Sequence, residues 1–197
     1  MIRLRDDDVL VPTRSYPSSF ARFRRIHEWL KICPSIIHVP TIVTQELEAY
    51  PGCIEYIRAE TAAGRMEPQL HGVLHVDYSA LPIERVRDDL LRGIEWMLIH
   101  LGVSPSIWYT PWGSTQETLR AAAASVGLEL VGVERHWMID RVNARLRSGD
   151  ETVESLQGRE VFFHWWGGGL RVLRLAHAIN HGSWAAAAKA ERSLFDD

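Results

Sequence analysis

The chain has 197 residues, enough for one complete core and short for two. Hydrophobic residues make up 46% and charged residues 24%, the balance of an ordinary soluble globular domain. The 22 basic and 25 acidic side chains leave a net charge of −3, which argues against nucleic acid as the main partner, because a phosphate-binding surface carries a basic excess.

Two cysteines, Cys33 and Cys53, are too few for a disulfide framework and match no zinc-knuckle spacing, so buried free thiols are expected. No apolar run approaches the ~18 residues needed to span a bilayer. The opening Met-Ile-Arg-Leu-Arg-Asp has neither an apolar core nor a small-residue cleavage site, so a cytoplasmic protein without a membrane partner is expected.

In chain order, Ile2 to Val11 reads as a strand that carries the acidic triplet Asp6-Asp7-Asp8. Ser18 to Lys31 reads as a helix, with Phe20, Phe23, Ile26, His27 and Leu30 on one face. Ser35 to Val43 reads as a strand broken by Pro40, and Thr44 opens a capping pattern. Cys53 to Ala63 is a helix stopped by Gly64, and Gln69 to His75 is a short strand ending at a histidine pair. Pro82 to Leu101 is the clearest helix, with Pro at its start, Gly102 past its end, and Val86, Leu90, Ile94, Met97 and Leu101 on one stripe. Ser106 to Tyr109 is a strand, Ser114 to Val126 an Ala-rich helix closed by Gly127, and Leu128 to Val133 another strand. A polar, charged stretch runs from Glu134 to Arg159; Glu160 to His164 is a strand, and the remainder reads as helical.

Strands alternating with helices of this length imply parallel βαβ units in a single α/β domain, either an open sheet or a barrel of about seven strands. In both architectures the strand C-terminal ends carry the functional groups. Asp7, His75, Trp112 and His164 all fall at or just after such ends. Adjacent carboxylates repel one another, and a bound cation offsets that cost. A carboxylate with the two imidazoles of His71 and His75 is a standard ligand set for a divalent metal.

Taken together these residues resemble the polysaccharide deacetylase family, the NodB-homology or carbohydrate esterase family 4 group. Its strand followed by Asp-Asp is matched by Leu4-Arg-Asp-Asp-Asp-Val9, and its His-[Ser/Thr]-x-x-His by His71-Gly-Val-Leu-His75, with Gly in the second place. Its Arg-x-Pro-x-Gly is matched by Tyr109-Thr-Pro-Trp-Gly113, with Tyr109 where the family has an Arg that pairs with the catalytic base. Arg5 is a candidate substitute for that Arg.

The resemblance implies a deformed (β/α)7-type barrel acting as a metal-dependent deacetylase, which removes an acetyl or similar acyl group from an N-acetylated sugar or related amide by means of metal-activated water. Asp8, His71 and His75 would be the ligands of a divalent metal, with Zn2+ expected and Fe(II) or Co(II) suited to the same donors. Asp7 would be the general base; a one-residue shift of the motif would instead make Asp6 the base and Asp7 the ligand. A backbone N–H near Trp112 would share the oxyanion with the metal. His164 would be the general acid, with His177 in Leu173-Arg-Leu-Ala-His177 as its rival. Tyr109, Pro111, Trp112, Trp165 and Trp166 would contact a carbohydrate substrate, aromatic rings being suited to sugar faces. Two other readings stand beside this one. The first is a catalytically inactive carbohydrate-binding pseudoenzyme, and the second is a different metal-dependent hydrolase such as a phosphoesterase.

Overall fold

The structure, a computed structural model, describes residues 1–12, 19–132, 138–164 and 169–182. Along them run β1 (Ile2–Val9), α1 (Phe20–Leu30), β2 (Ile36–Val43), α2 (Thr44–Glu48), α3 (Pro51–Ala62), β3 (Gln69–Gly72), α4 (Ile83–Leu101), β4 (Ile107–Tyr109), α5 (Glu117–Ser125), β5 (Glu129–Val131), α6 (Ile139–Ser148), β6 (Glu160–His164) and α7 (Gly169–Asn180). The strands form one six-stranded sheet in the order β5-β4-β3-β2-β1-β6. From β2 to β5 the pairing is parallel, as connections through intervening helices require.

The chain divides into two compact units, the first made of Met1–Asp6, Ala21–His38 and Glu134–Asp197, the second of Asp7–Phe20 and Val39–Val133. In the first, α1, α6 and α7 bury apolar stripes with the inward faces of β1 and β6; Ile2, Ile26, Val142, Phe163 and Leu175 belong to this core. The charged stretch from Glu134 therefore contains a helix that its composition hides: α6 buries Ile139, Val142 and Leu146 and exposes Arg141 and Arg147. His27 and His38 are both buried, with their Nδ1 atoms 3.0 Å apart, and His38 Nε2 lies 3.6 Å from Asp6 Oδ2. Burial, with the neighbouring His27 charge, pushes His38 well below the ordinary imidazole range, so it remains neutral. Arg5 pairs with Glu160 at 2.8 Å and stacks over the Phe162 ring at 4.9 Å.

In the second unit α4 is bounded as the sequence predicts, by Pro82 before it and by Gly102 in the left-handed conformation (φ 73°) after it. Its buried face, Val86, Leu90, Gly93, Met97 and Leu101, packs against β3. At Gly93 an added Cβ would lie 2.8 Å from Leu70 Cδ1, so this glycine permits the helix to approach the strand that carries His71.

Three expectations change at element ends. β2 runs unbroken through Pro40; the ladder to β3 begins one residue later, at Thr41↔Gln69, so the missing N–H falls outside it. Thr44 is the first residue of α2 rather than its cap, and Val43 caps without a side-chain hydrogen bond. β3 stops at Gly72, because the backbone turns there (φ 155°), which leaves His71 on the strand and His75 in the loop beyond it.

Candidate metal centre

β1 leaves extended geometry at Asp8, whose φ is 60°, and Leu10 repeats the deviation at 62°. A left-handed backbone at a non-glycine residue costs about 1–3 kcal/mol and persists only where its surroundings impose it. The consequence is directional. In a regular strand Asp6 and Asp8 would share a face, but here Asp6 faces His38 and Asp8 turns to the histidine pair.

Asp8 Oδ1 lies 2.9 Å from His71 Nε2 and 2.9 Å from His75 Nε2. One ligand atom from each of the three residues falls within 4.8 Å of the others, and among the described residues this is the one such cluster. It is largely enclosed, with side-chain exposures of 16% for Asp8, 5% for His71 and 18% for His75. Burial works against ionisation of Asp8, yet the hydrogen bonds and charges of His71 and His75 overcome it and hold the carboxyl well below the usual carboxylate range. Burial likewise works against protonation of His75. The Asp8 hydrogen bond, and the negative charges of Asp8, Glu46 and Asp7, overcome it and hold the imidazole above its ordinary value.

His71 is the best anchored of the three. Its Nδ1 lies 2.6 Å from the Tyr109 carbonyl, so Nδ1–H donates there and Nε2 is directed at Asp8. The Trp108 indole N–H donates to the His71 carbonyl at 3.1 Å, and the Gln69 side chain accepts from the Ser106 and Ile107 amides at 3.1 and 3.0 Å. Side chains on β3 and β4 thus lock the strand from which His71 projects. Two imidazoles meeting a single carboxylate oxygen call for positive charge between them, supplied either by protons on the Nε2 atoms or by a cation that replaces them. The donor set of one carboxylate and two imidazoles, with ring nitrogens oriented by outer contacts, fits a divalent metal.

The segment after β4 forms one wall. Trp112 is 73% exposed, has φ 64°, and its ring centroid lies 5.4 Å from that of His75. Tyr109 and Pro111 are buried, so of the three substrate contacts expected on this segment Trp112 alone is exposed. What Tyr109 brings to His71 is its backbone carbonyl, which no side-chain motif reveals. Asp7 is buried (4%), and its charge acts on His75. In the other unit, His164 ends β6, half-buried, with the Phe162 ring edge-on at 6.5 Å. His177 lies on helix α7, stacked against His181, not at a strand end. Trp165 and Trp166 lie outside the described residues.

The model of the family described as polysaccharide deacetylase matches residues 41–131, the segment holding both histidines and the Tyr109–Gly113 motif. Over slightly less than half of its length the chain is thus similar to the polysaccharide deacetylase family. A family 4 carbohydrate esterase from Streptomyces lividans is 17% identical, with a TM-score of 0.64, over 92% of this chain and 86% of that one. A peptidoglycan deacetylase from Bacillus subtilis is 11% identical, with a TM-score of 0.64, over 97% and 91%. A family 4 pseudoenzyme from Bacillus anthracis is 13% identical, with a TM-score of 0.65, over 92% of this chain and 60% of that one. No curated protein matches. At these identities the structures share the fold, which is the deformed (β/α) barrel class of the NodB-homology family, with six strands among the described residues where about seven were expected. Among those residues no helix is long and apolar enough to cross a membrane.

Proposed function

We propose that the chain is a metal-dependent deacetylase that hydrolyses the amide of an N-acetylated sugar. The observation that carries this reading is the convergence of His71 Nε2 and His75 Nε2 on Asp8 Oδ1 beside an exposed Trp112, the two histidines and the tryptophan lying within the segment matched to the family. Asp8, His71 and His75 would hold the ion, Zn2+ being the best suited to this small, largely enclosed donor set. When bound, the ion supplies Lewis-acid chemistry, acidifying water and polarising a carbonyl.

The remaining roles fall to the chain's own side chains. Asp7 accepts the proton of the attacking water. Trp112 offers its face to a sugar ring, which its exposure and its position beside His75 support. On its chemistry and its strand-end location alone, His164 supplies the proton to the departing amine. One observation favours the pseudoenzyme alternative: Tyr109 stands in place of the family's Arg and is buried.

Acetate release from an N-acetylated oligosaccharide, with zinc supplied, separates the readings. Wild type releasing acetate, with His71→Ala releasing none, is the expected result. Sugar binding without acetate release would identify a pseudoenzyme, and phosphate release from a phosphoester without acetate release would identify the phosphoesterase alternative.

A further inference from the structure

The two histidines are separated by Gly72-Val73-Leu74, and the family pattern puts a hydroxyl side chain where Gly72 stands. No hydroxyl can be carried there in this chain. An added Cβ on Gly72 would lie 2.7 Å from Tyr78 Oη, 2.9 Å from the Leu74 carbonyl oxygen and 3.0 Å from Tyr78 Cε2. The space next to the Gly72 Cα is therefore filled by a phenol arriving from six residues further along, in the 3-10 turn Tyr78–Ala80.

That phenol is bonded to the loop it fills. The Val73 N–H donates to Tyr78 Oη at 3.1 Å. Tyr78 is fully buried, its ring edge-on to Trp108 at 5.3 Å and 87°. Trp108 in turn holds the His71 carbonyl through its indole N–H. One aromatic pair thus secures the backbone at His71 and the Val73 amide on the way to His75. Val73 is buried, and inside the protein an unpaired N–H costs about 1–3 kcal/mol.

We infer that Tyr78 is a positioning residue for the metal centre: its hydroxyl, in the place of the motif's own, fixes the span between the His71 and His75 ligands by binding the Val73 amide and filling the space beside Gly72. The inference rests on the metal-site reading. Burial pushes the Tyr78 phenol above its ordinary value, which keeps the oxygen neutral as an acceptor. Gly72 is the complementary half of the arrangement, since any side chain there meets the hydroxyl.

The test is zinc affinity of the full chain, measured with zinc ion alone in competition with a chromophoric chelator. Tyr78→Phe keeps the ring against Trp108 and removes only the oxygen; its zinc affinity should fall about tenfold, the low end for losing an outer contact of a ligand. Gly72→Ala should weaken zinc binding in the wild-type background and cost less in the Tyr78→Phe background, because the nearest of the three close atoms has gone. A second measurement needs no variant: in the metal-free wild type, hydrogen exchange at the Val73 amide should be slow. Wild-type zinc affinity in Tyr78→Phe, or fast exchange at the Val73 amide, would overturn the inference. A purely structural role would lower melting temperature in the metal-free and zinc-loaded forms alike and leave zinc affinity unmoved. Failure of the wild type itself to take up zinc would instead refute the metal-site reading, and the inference with it.

Discussion

Asp8→Asn isolates the charge of the proposed carboxylate ligand from everything else at that position. Asp8 has φ 60°, a backbone that asparagine adopts at least as readily as aspartate, whereas alanine would add strain of roughly 1–2 kcal/mol. The side-chain amide keeps an oxygen facing both imidazoles, so the geometry survives and the charge alone is lost. In the metal-free protein two hydrogen bonds of 2.9 Å then become neutral ones. A charge-assisted bond contributes about 1.5–3 kcal/mol against about 0.5–1.5 for a neutral one, so the pair loses about 2 kcal/mol in all. Asp8 is mostly enclosed, so solvent screening reduces this little. For a chain of this size the melting temperature should fall by about 4–8 °C. Zinc tests the other half of the reasoning: at a hundredfold excess over Kd a bound ion stabilises by about 2.7 kcal/mol, so wild type should melt about 5–11 °C higher with zinc than without. Differential scanning fluorimetry of both proteins, with and without zinc, measures all four values. The variant should lose the zinc increment, its only anionic ligand having been neutralised. A zinc-dependent rise in Asp8→Asn equal to that of wild type would refute the assignment of Asp8.

Two further predictions concern pH. His75 is held above its ordinary value in the metal-free protein, so its stabilising contribution is full below the unfolded value near 6.5 and is lost as pH rises through the folded one. Zinc must displace that proton, so zinc affinity should rise across the same interval, up to about tenfold per pH unit, opposite in sign to metal-free stability; calorimetric titration in buffers of different ionisation enthalpy would expose the released proton, and its absence would contradict the scheme. His38 behaves in the reverse sense: its folded value is depressed, so its contribution is present above about 6.5 and is lost as pH falls toward the folded value, with a slope of at most about 1.4 kcal/mol per unit. Urea unfolding between pH 7 and 5 should show that loss, and a His38→Gln variant with the same slope as wild type would contradict it.

Much of the fold was legible because local signals and tertiary packing agree. Pro82 and Gly102 bracket α4, and a stripe at helical spacing faces β3. α6 was invisible for the opposite reason: only three apolar residues, Ile139, Val142 and Leu146, face the core, among arginines that give the stretch a solvated composition. Pro40 reads as a breaker in the sequence, and that the ladder to β3 begins one residue after it is a tertiary fact. At the site, the family resemblance pointed to Asp8, His71 and His75, which the structure brings together. It could not reveal the kink at Asp8, which requires a left-handed φ at a residue without glycine's freedom. Nor could it reveal the Tyr109 carbonyl, the Trp108 indole or the Tyr78 hydroxyl, because the first is backbone and the others read as ordinary core aromatics. Gly72 was the visible clue: a glycine where a motif has a hydroxyl asks which group has taken that space.

The most direct test is anomalous diffraction at the zinc edge from crystals of the zinc-loaded wild type. The account predicts one strong peak about 2.0–2.2 Å from Asp8 Oδ1, His71 Nε2 and His75 Nε2. Zinc-loaded crystals with no peak among these three atoms would contradict it.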